Sequence, residues 1–210
     1  LGANHIWLVD VDSFAQTELA SYREMLGFLE EKGFPIPLET QPATLDSLLE
    51  LCGGDYLIEG VKSLEKIKSE SVDFCFSQTV LQHVPKREFK LLASDLFRIL
   101  KPNGASHHRV DLKDMLGGGL NNLRLPDTIW ESELFCNSTF YTNRIRFREM
   151  IQIFEQAGFT VSLPVVIRRE ELPTPRDKLD SQFRQLADDD LLVQGFDILL
   201  KKINSDYSVL

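Results

Sequence analysis

Only three cysteines occur in 210 residues, Cys52, Cys75 and Cys136. They are odd in number, lack C-x-x-C or His-paired spacing and stand in apolar contexts. Neither a disulfide framework nor a zinc site is expected, and no metal is assigned. They read as small buried hydrophobes in the reducing cytoplasm. Long apolar runs are also lacking: none approaches the ~20 residues that a membrane span needs, and no signal-peptide pattern is visible. Basic residues are the scarcer charge, 23 Lys and Arg against 32 Asp and Glu, for a net charge of -9. Binding to phosphate backbones relies on clustered Lys and Arg. With no basic stripe, nucleic acid is not an expected partner, and a small molecule is the better default. Internal repeats and low-complexity tracts are absent.

What is present suits one globular domain. Hydrophobic residues make up 43% and charged residues 26% of the chain, enough to build a substantial core. Apolar runs resembling buried strands alternate with segments of helical spacing, which predicts an α/β fold with a parallel, doubly wound sheet. Residues 5–11 form the first strand and 14–32 a helix stopped at Gly33. "TLDSLLELCGG" predicts a short helix with Thr44 as its cap. "DYLIEG" and "VDFCFSQ" follow as strands. From Pro85, Phe89, Leu92, Ala93, Leu96, Ile99 and Leu100 recur at three- and four-residue steps, the mark of an amphipathic helix. "LKPNG" should stop it with a turn, and "ASHHRVDL" is the next strand. A helix resumes near Arg146 and ends at Gly158. "FTVSLPVVIRREEL" is a strand whose Pro164 implies an edge or a bulge, and "VQGFDILLKK" is the last. The expected organisation is a single domain over residues 1–202, with residues 112–143 as a lid or substrate-binding insertion and 203–210 as a tail.

In open α/β sheets ligands sit outside the carboxyl ends of the strands. The first such end carries Asp10, a carboxylate able to accept hydrogen bonds from both hydroxyls of a ribose. Asp12 suits the following turn. The end of "VDFCFSQ" presents Ser77 and Gln78, polar residues that either line a cleft or cap a turn. His83 lies at the end of the same stretch and is either a base or a structural hydrogen-bonder. In "SHHRVD", strand alternation puts His107 and Arg109 on one face and His108 on the other, so the two histidines do not share a metal. His107 or Asp111 is positioned to act as a general base, or to hold a covering loop. The insertion offers Trp130, Phe135, Phe140 and Tyr141 as apolar walls and Arg124, Asn143 and Arg144 as polar anchors; a hydrophobic cluster beneath a loop is the alternative.

The series "LVDVD", "SVDFCFSQTVLQHV", "FKLLASDLFRILKPNG" and "FREMIQIFEQAGFTV", in that order, resembles the class I S-adenosylmethionine-dependent methyltransferases over nearly the whole chain. The resemblance implies a Rossmann-like sheet, mostly parallel, with an antiparallel last strand and helices on both faces. It implies S-adenosylmethionine as cofactor. Asp10 then matches the acid that binds the cofactor's ribose, Val61 and Lys62 fall where the third strand's loop meets the adenine, and Ser77 and Gln78 face the methionine portion and the substrate. The family's adenine-binding Asp has no counterpart near Val61, which leaves backbone groups or a neighbour such as Glu59. The family's Gly-rich turn is matched by neither Gly53-Gly54 nor Gly117 to Gly119, because neither follows a strand and opens a helix. A strand-turn-helix of roughly 30 residues is therefore expected upstream of Leu1.

The implied activity is methyl transfer to a small-molecule acceptor, with a hydroxyl on a sugar, lipid-like or natural-product molecule as the expected group. His107, His83 and Asp111 are the candidate bases, and Trp130, Tyr141, Asn143 and Arg144 the candidate substrate contacts. Two rivals follow from the same residues: a non-catalytic binding protein of methyltransferase-like fold, and an NAD-dependent dehydrogenase, in which a strand-end acid also serves a ribose.

Overall fold

A computed structural model describes residues 3–34 and 42–203. Residues 1–2 and nearly all of the expected tail, 204–210, lie outside them. The chain divides into two compact units, Leu1–Lys66 and Ile67–Leu210.

In the first unit, β1 (Ile6–Val9) is followed by α1 (Ala20–Glu31), α2 (Leu45–Leu51) and β2 (Gly54–Leu57). β1 and β2 pair in parallel, from Ile6 opposite Gly54 to Val9 opposite Leu57. The helix α1 begins six residues later than the apolar spacing predicts. The cause is a turn: the Phe14 N–H donates to Asp12 O at 3.0 Å and to Tyr56 Oη at 3.1 Å, which holds the segment out of helical geometry. The expected Thr44 cap is present. Thr44 Oγ1 accepts from Ser47 N at 3.2 Å while Ser47 Oγ accepts from Thr44 N at 3.1 Å, a reciprocal capping box. Gly53 follows the helix at φ +63°, the left-handed conformation that ends helices at glycine.

The second unit contains β3 (Val72–Gln78), α3 (Phe89–Ile99), β4 (Leu100–Asp111), the one-turn helices α4 (Asp127–Trp130) and α5 (Glu133–Cys136), α6 (Phe147–Gln156), β5 (Thr160–Arg168), the one-turn helices α7 (Ser181–Arg184) and α8 (Asp188–Leu191), and β6 (Val193–Lys201). The strand order is β3-β4-β6-β5. β3 and β4 run parallel, whereas β6, the last strand, is antiparallel to both of its neighbours, as expected. Pro164 sits on the edge strand β5, and the register shifts between Ser162 and Val165, so both alternatives for that proline hold. "LKPNG" does not end in a free turn: β4 starts at Leu100, because Asn103 N donates to Lys202 O at 2.8 Å and Lys202 N to Gly104 O at 3.1 Å.

Helix α3 buries the apolar stripe read from the sequence, Phe89, Leu92, Ala93, Leu96 and Ile99. On α6 the spacing puts Phe147, Met150, Ile151 and Phe154 inward; Phe147, Met150 and Phe154 are buried, but Ile153 joins them and Ile151 is only half-buried. Each of these buried side chains except Ala93 stabilises by about 1.5–3 kcal/mol. Phe89 and Phe154 meet edge-on at 5.6 Å, and Phe154 stacks on His108, which fixes the sheet face they cover. Along β4 that face carries Ser106, His108 and Val110, all buried; His107 and Arg109 point the other way. After α6, Gly158 adopts φ +105°, and a Cβ there would lie 3.0 Å from the Phe97 ring, so glycine is required twice over. Leu120 and Leu123 from the 112–143 segment join Leu179, Phe183 and Leu191 in a separate apolar cluster.

Candidate functional site

The first unit supplies Asp10 at the carboxyl end of β1. Its backbone is fixed on both sides: Asp10 N donates to Leu57 O at 2.9 Å and Asp10 O accepts from Gly60 N at 2.8 Å. The carboxylate Oδ1 accepts from Val11 N at 2.8 Å, and Oδ2 has a long contact, 3.5 Å, from the Tyr56 hydroxyl. Oδ2 therefore keeps accepting capacity for a further donor. Asp12 caps its own turn, accepting from Ser13 N at 2.7 Å. Val61 is buried and Lys62 exposed in a 3-10 turn over Gly60–Lys66. Glu59 is an exposed carboxylate ion-paired with Lys66, whose hydrogen bond and charge hold it below its ordinary value.

In the second unit Ser77 and His108 are opposite one another in the β3–β4 register. Ser77 Oγ lies 2.7 Å from His108 Nδ1, and His108 Nε2 is hydrogen-bonded to Ser106 Oγ. A neutral imidazole has one donor and one acceptor nitrogen, so one serine donates to the ring and the other accepts from it. Burial, reinforced by the neighbouring His107, pushes His108 down from 6.5 to about 4. The ring is thus neutral at pH 7. Cys75, on the same strand as Ser77, is pushed up by burial. Gln78 is exposed at the strand end, and Thr79 beyond it takes φ +54° with its N–H on Arg109 O at 2.9 Å.

This arrangement has a pH signature. The unfolded chain binds a proton to His108 below pH 6.5, whereas the folded chain resists until about pH 4. The stabilisation is complete above pH 6.5 and is lost as pH falls from there through about 4. The expected loss is about 3 kcal/mol, measured as the drop in urea-unfolding free energy between neutral and acid buffer. In His108→Gln that interval should flatten; an unchanged slope would assign the acid sensitivity to the carboxylates instead.

The three candidate bases are dispersed. His107 is 39% exposed and lies 3.9 Å from Asp197, which also accepts from Arg109 Nε at 2.8 Å. His83 donates Nδ1–H to Tyr141 O at 2.8 Å, leaving Nε2 free to accept. Asp111 accepts from Lys113 N at 2.9 Å and pairs with its ammonium at 3.3 Å. His107 and Asp111 share the face of β4 away from α3 and α6.

The residues assigned to substrate have their polar groups engaged within the unit, apart from Arg144 Nε, which is buried without a hydrogen-bond partner. Trp130 is fully buried, and its indole N–H donates to Thr142 O at 2.7 Å. Tyr141 donates to Glu131 Oε2 at 2.8 Å and accepts from Lys86 N at 3.2 Å, and burial pushes its phenol well above the usual range. Asn143 Nδ2 donates to Leu81 O and Val84 O at 2.8 and 2.9 Å, tying the 112–143 segment to the loop after β3. Arg144, in the left-handed region at φ 59°, donates to Asn122 O and Leu125 O and ion-pairs with Asp127. Its guanidinium lies over Trp130 and Phe183, 5.4 and 5.1 Å from the ring centroids. Three polar residues that the sequence reading passed over stand beside these: Gln82, Asn122 and Arg146, buried at 5%, 2% and 2% exposure. Only Arg146, two residues beyond Arg144, adjoins them in sequence; Gln82 and Asn122 are brought there by the fold, and the sequence carries no signal for them. Among the described residues no group of acidic, His and Cys side chains could hold a metal, and no helix is long and apolar enough to cross a membrane.

Residues 38–107 match the family model of the methyltransferase domain. A search of curated proteins returns no match. Among solved structures, an S-adenosylmethionine-dependent methyltransferase from Methanosarcina mazei is 15% identical with a TM-score of 0.49, covering 95% of this chain and 83% of its own. The YcgJ protein of Bacillus subtilis is 16% identical at TM-score 0.47, covering 96% and 84%. An S-adenosylmethionine-dependent methyltransferase from Archaeoglobus fulgidus is 12% identical at TM-score 0.44, covering 96% and 87%.

Proposed function

We propose that this chain transfers a methyl group from S-adenosylmethionine to a small-molecule acceptor, at a hydroxyl. The observation that carries the reading is the methyltransferase-domain match over residues 38–107, which contains Val61, Lys62, Ser77 and Gln78. Asp10 fits the cofactor: a strand-end carboxylate with a fixed backbone and one oxygen only loosely engaged is equipped to accept from a ribose diol. Val61 would flank the adenine, with Lys62 beside it, and Ser77 and Gln78 would border the methionine portion. When bound, the sulfonium supplies an already activated methyl group. The chain's own part is to orient the acceptor, exclude water and take the proton from the hydroxyl. His107, His83 and Asp111 are the candidate groups for that last task; His83 Nδ1 donates to Tyr141 O, which leaves Nε2 able to accept. The acidic balance supports a small-molecule acceptor over nucleic acid, and the cysteine number and spacing support the cytoplasm.

Isothermal titration calorimetry with S-adenosylmethionine and with its demethylated product tests the reading on the full-length protein. Saturable heat with both ligands is expected. No heat at millimolar ligand would overturn it in favour of a binding protein of the same fold.

A further inference from the structure

One side chain in the first unit meets both acids at the carboxyl end of β1. Tyr56 of β2 stands opposite Leu8 in the parallel register, and alternation puts Leu8 and Asp10 on one face of β1. From there its hydroxyl reaches the turn beyond the strand: it donates to Asp12 O at 3.0 Å, accepts from Phe14 N at 3.1 Å and lies 3.5 Å from Asp10 Oδ2. A phenol has one hydrogen, and the nearer carbonyl takes it. The oxygen therefore borders the Asp10 carboxylate and bounds its rotation without using up its lone pairs.

The turn that Tyr56 holds competes with a helix. Apolar spacing favours helix from about Phe14, and a helix starting there would take Asp12, a residue type favoured at N-caps, as its cap. That would turn the backbone of Val11, whose N–H supports Asp10 Oδ1. With Phe14 N engaged by Tyr56 Oη and Asp12 O, α1 starts at Ala20 instead, and the Asp12 carboxylate serves only its own turn. We propose that Tyr56 is a positioning residue of the cofactor site, whose hydroxyl fixes the 12–14 turn and so holds the Asp10 carboxylate in the orientation that meets the ribose. The proposal rests on the methyl-transfer reading, which assigns Asp10 to that ribose.

Tyr56→Phe removes the oxygen and keeps the ring. In the protein without ligand, amide exchange at Phe14 should quicken roughly 3- to 10-fold, the loss of one net hydrogen bond. By calorimetry the variant should bind the demethylated cofactor roughly 3- to 10-fold more weakly. Its preference for that ligand over the 2′-deoxy analogue, which offers the carboxylate one hydroxyl fewer, should fall by about 2- to 5-fold. A general weakening of the fold would lower both affinities and leave the preference as it is. In the Asp10→Asn background, Tyr56→Phe should cost less than about 2-fold further, because its effect passes through the carboxylate. Unchanged exchange at Phe14, an unchanged preference, or full additivity with Asp10→Asn would overturn the proposal alone. A wild type that binds neither ligand overturns the methyl-transfer reading, and this proposal with it.

Discussion

Asp10→Asn is expected to weaken S-adenosylmethionine binding by about 30- to 150-fold, which is about 2–3 kcal/mol. The argument rests on charge and on fixity. Two hydroxyls donating to one carboxylate make charge-assisted hydrogen bonds, each stronger than a neutral pair. Asn keeps the size but presents an N–H₂ where the ligand also presents donors, so one bond is lost and the other weakened. Because Asp10 is anchored through Leu57 O and Gly60 N by its backbone, the substitution should leave the strand end in place. Its carboxylate contributes little internally beyond the Val11 N–H contact. Asp12→Asn is the matched control. Asp12 accepts from Ser13 N in a local turn, and its replacement should alter the affinity by less than about 2-fold. Calorimetric dissociation constants decide: an Asp10→Asn variant within about 2-fold of wild type would remove Asp10 from the cofactor site.

The features readable in the sequence are those that depend on local pattern. Period alone places α3 and α6, since Phe89 through Ile99 and Phe147 through Phe154 fall on single faces. Alternation alone separates His108 from His107 and Arg109. Pro164 marks the edge strand because it has no N–H to give to a ladder. What the sequence conceals are contacts made across long separations. Phe14 is kept from helix by Tyr56, 42 residues away. Leu100 to Gly104 become strand because Lys202 pairs with them. The same holds for the site: Trp130, Asn143 and Arg144 are the residue types of a binding loop, yet the carbonyls of Thr142, Leu81, Val84, Asn122 and Leu125 take up their donors. Residue type announces a hydrogen-bonding capacity; only the fold says whether a ligand or the backbone uses it.

Arg146 is where that distinction has its largest energetic consequence. Its guanidinium is buried and donates to four backbone carbonyls: Leu112 at 3.0 Å, Asp190 at 3.3 Å, Leu191 at 3.2 Å and Val193 at 2.9 Å. These belong to the segment leaving β4, to α8 and to the start of β6, so one side chain at the head of α6 gathers three separate parts of the unit. No carboxylate forms an ion pair with it among the described residues, and burial lowers it to about 10, so it stays protonated at neutral pH while its charge is spread over carbonyl dipoles. Arg146→Met keeps the length and apolar stem but leaves those carbonyls buried without a donor. The expected loss is about 3–5 kcal/mol, comparable to stranding one member of a buried charge pair. Arg146→Lys supplies a compact ammonium that reaches fewer of the four acceptors, and should lose about half as much. Urea unfolding followed by circular dichroism measures both, as a fall in the midpoint at constant slope. If Arg146→Met costs less than about 1 kcal/mol, the carbonyls have found water or one another, and the convergence on Arg146 is not what holds α6 to the strand ends.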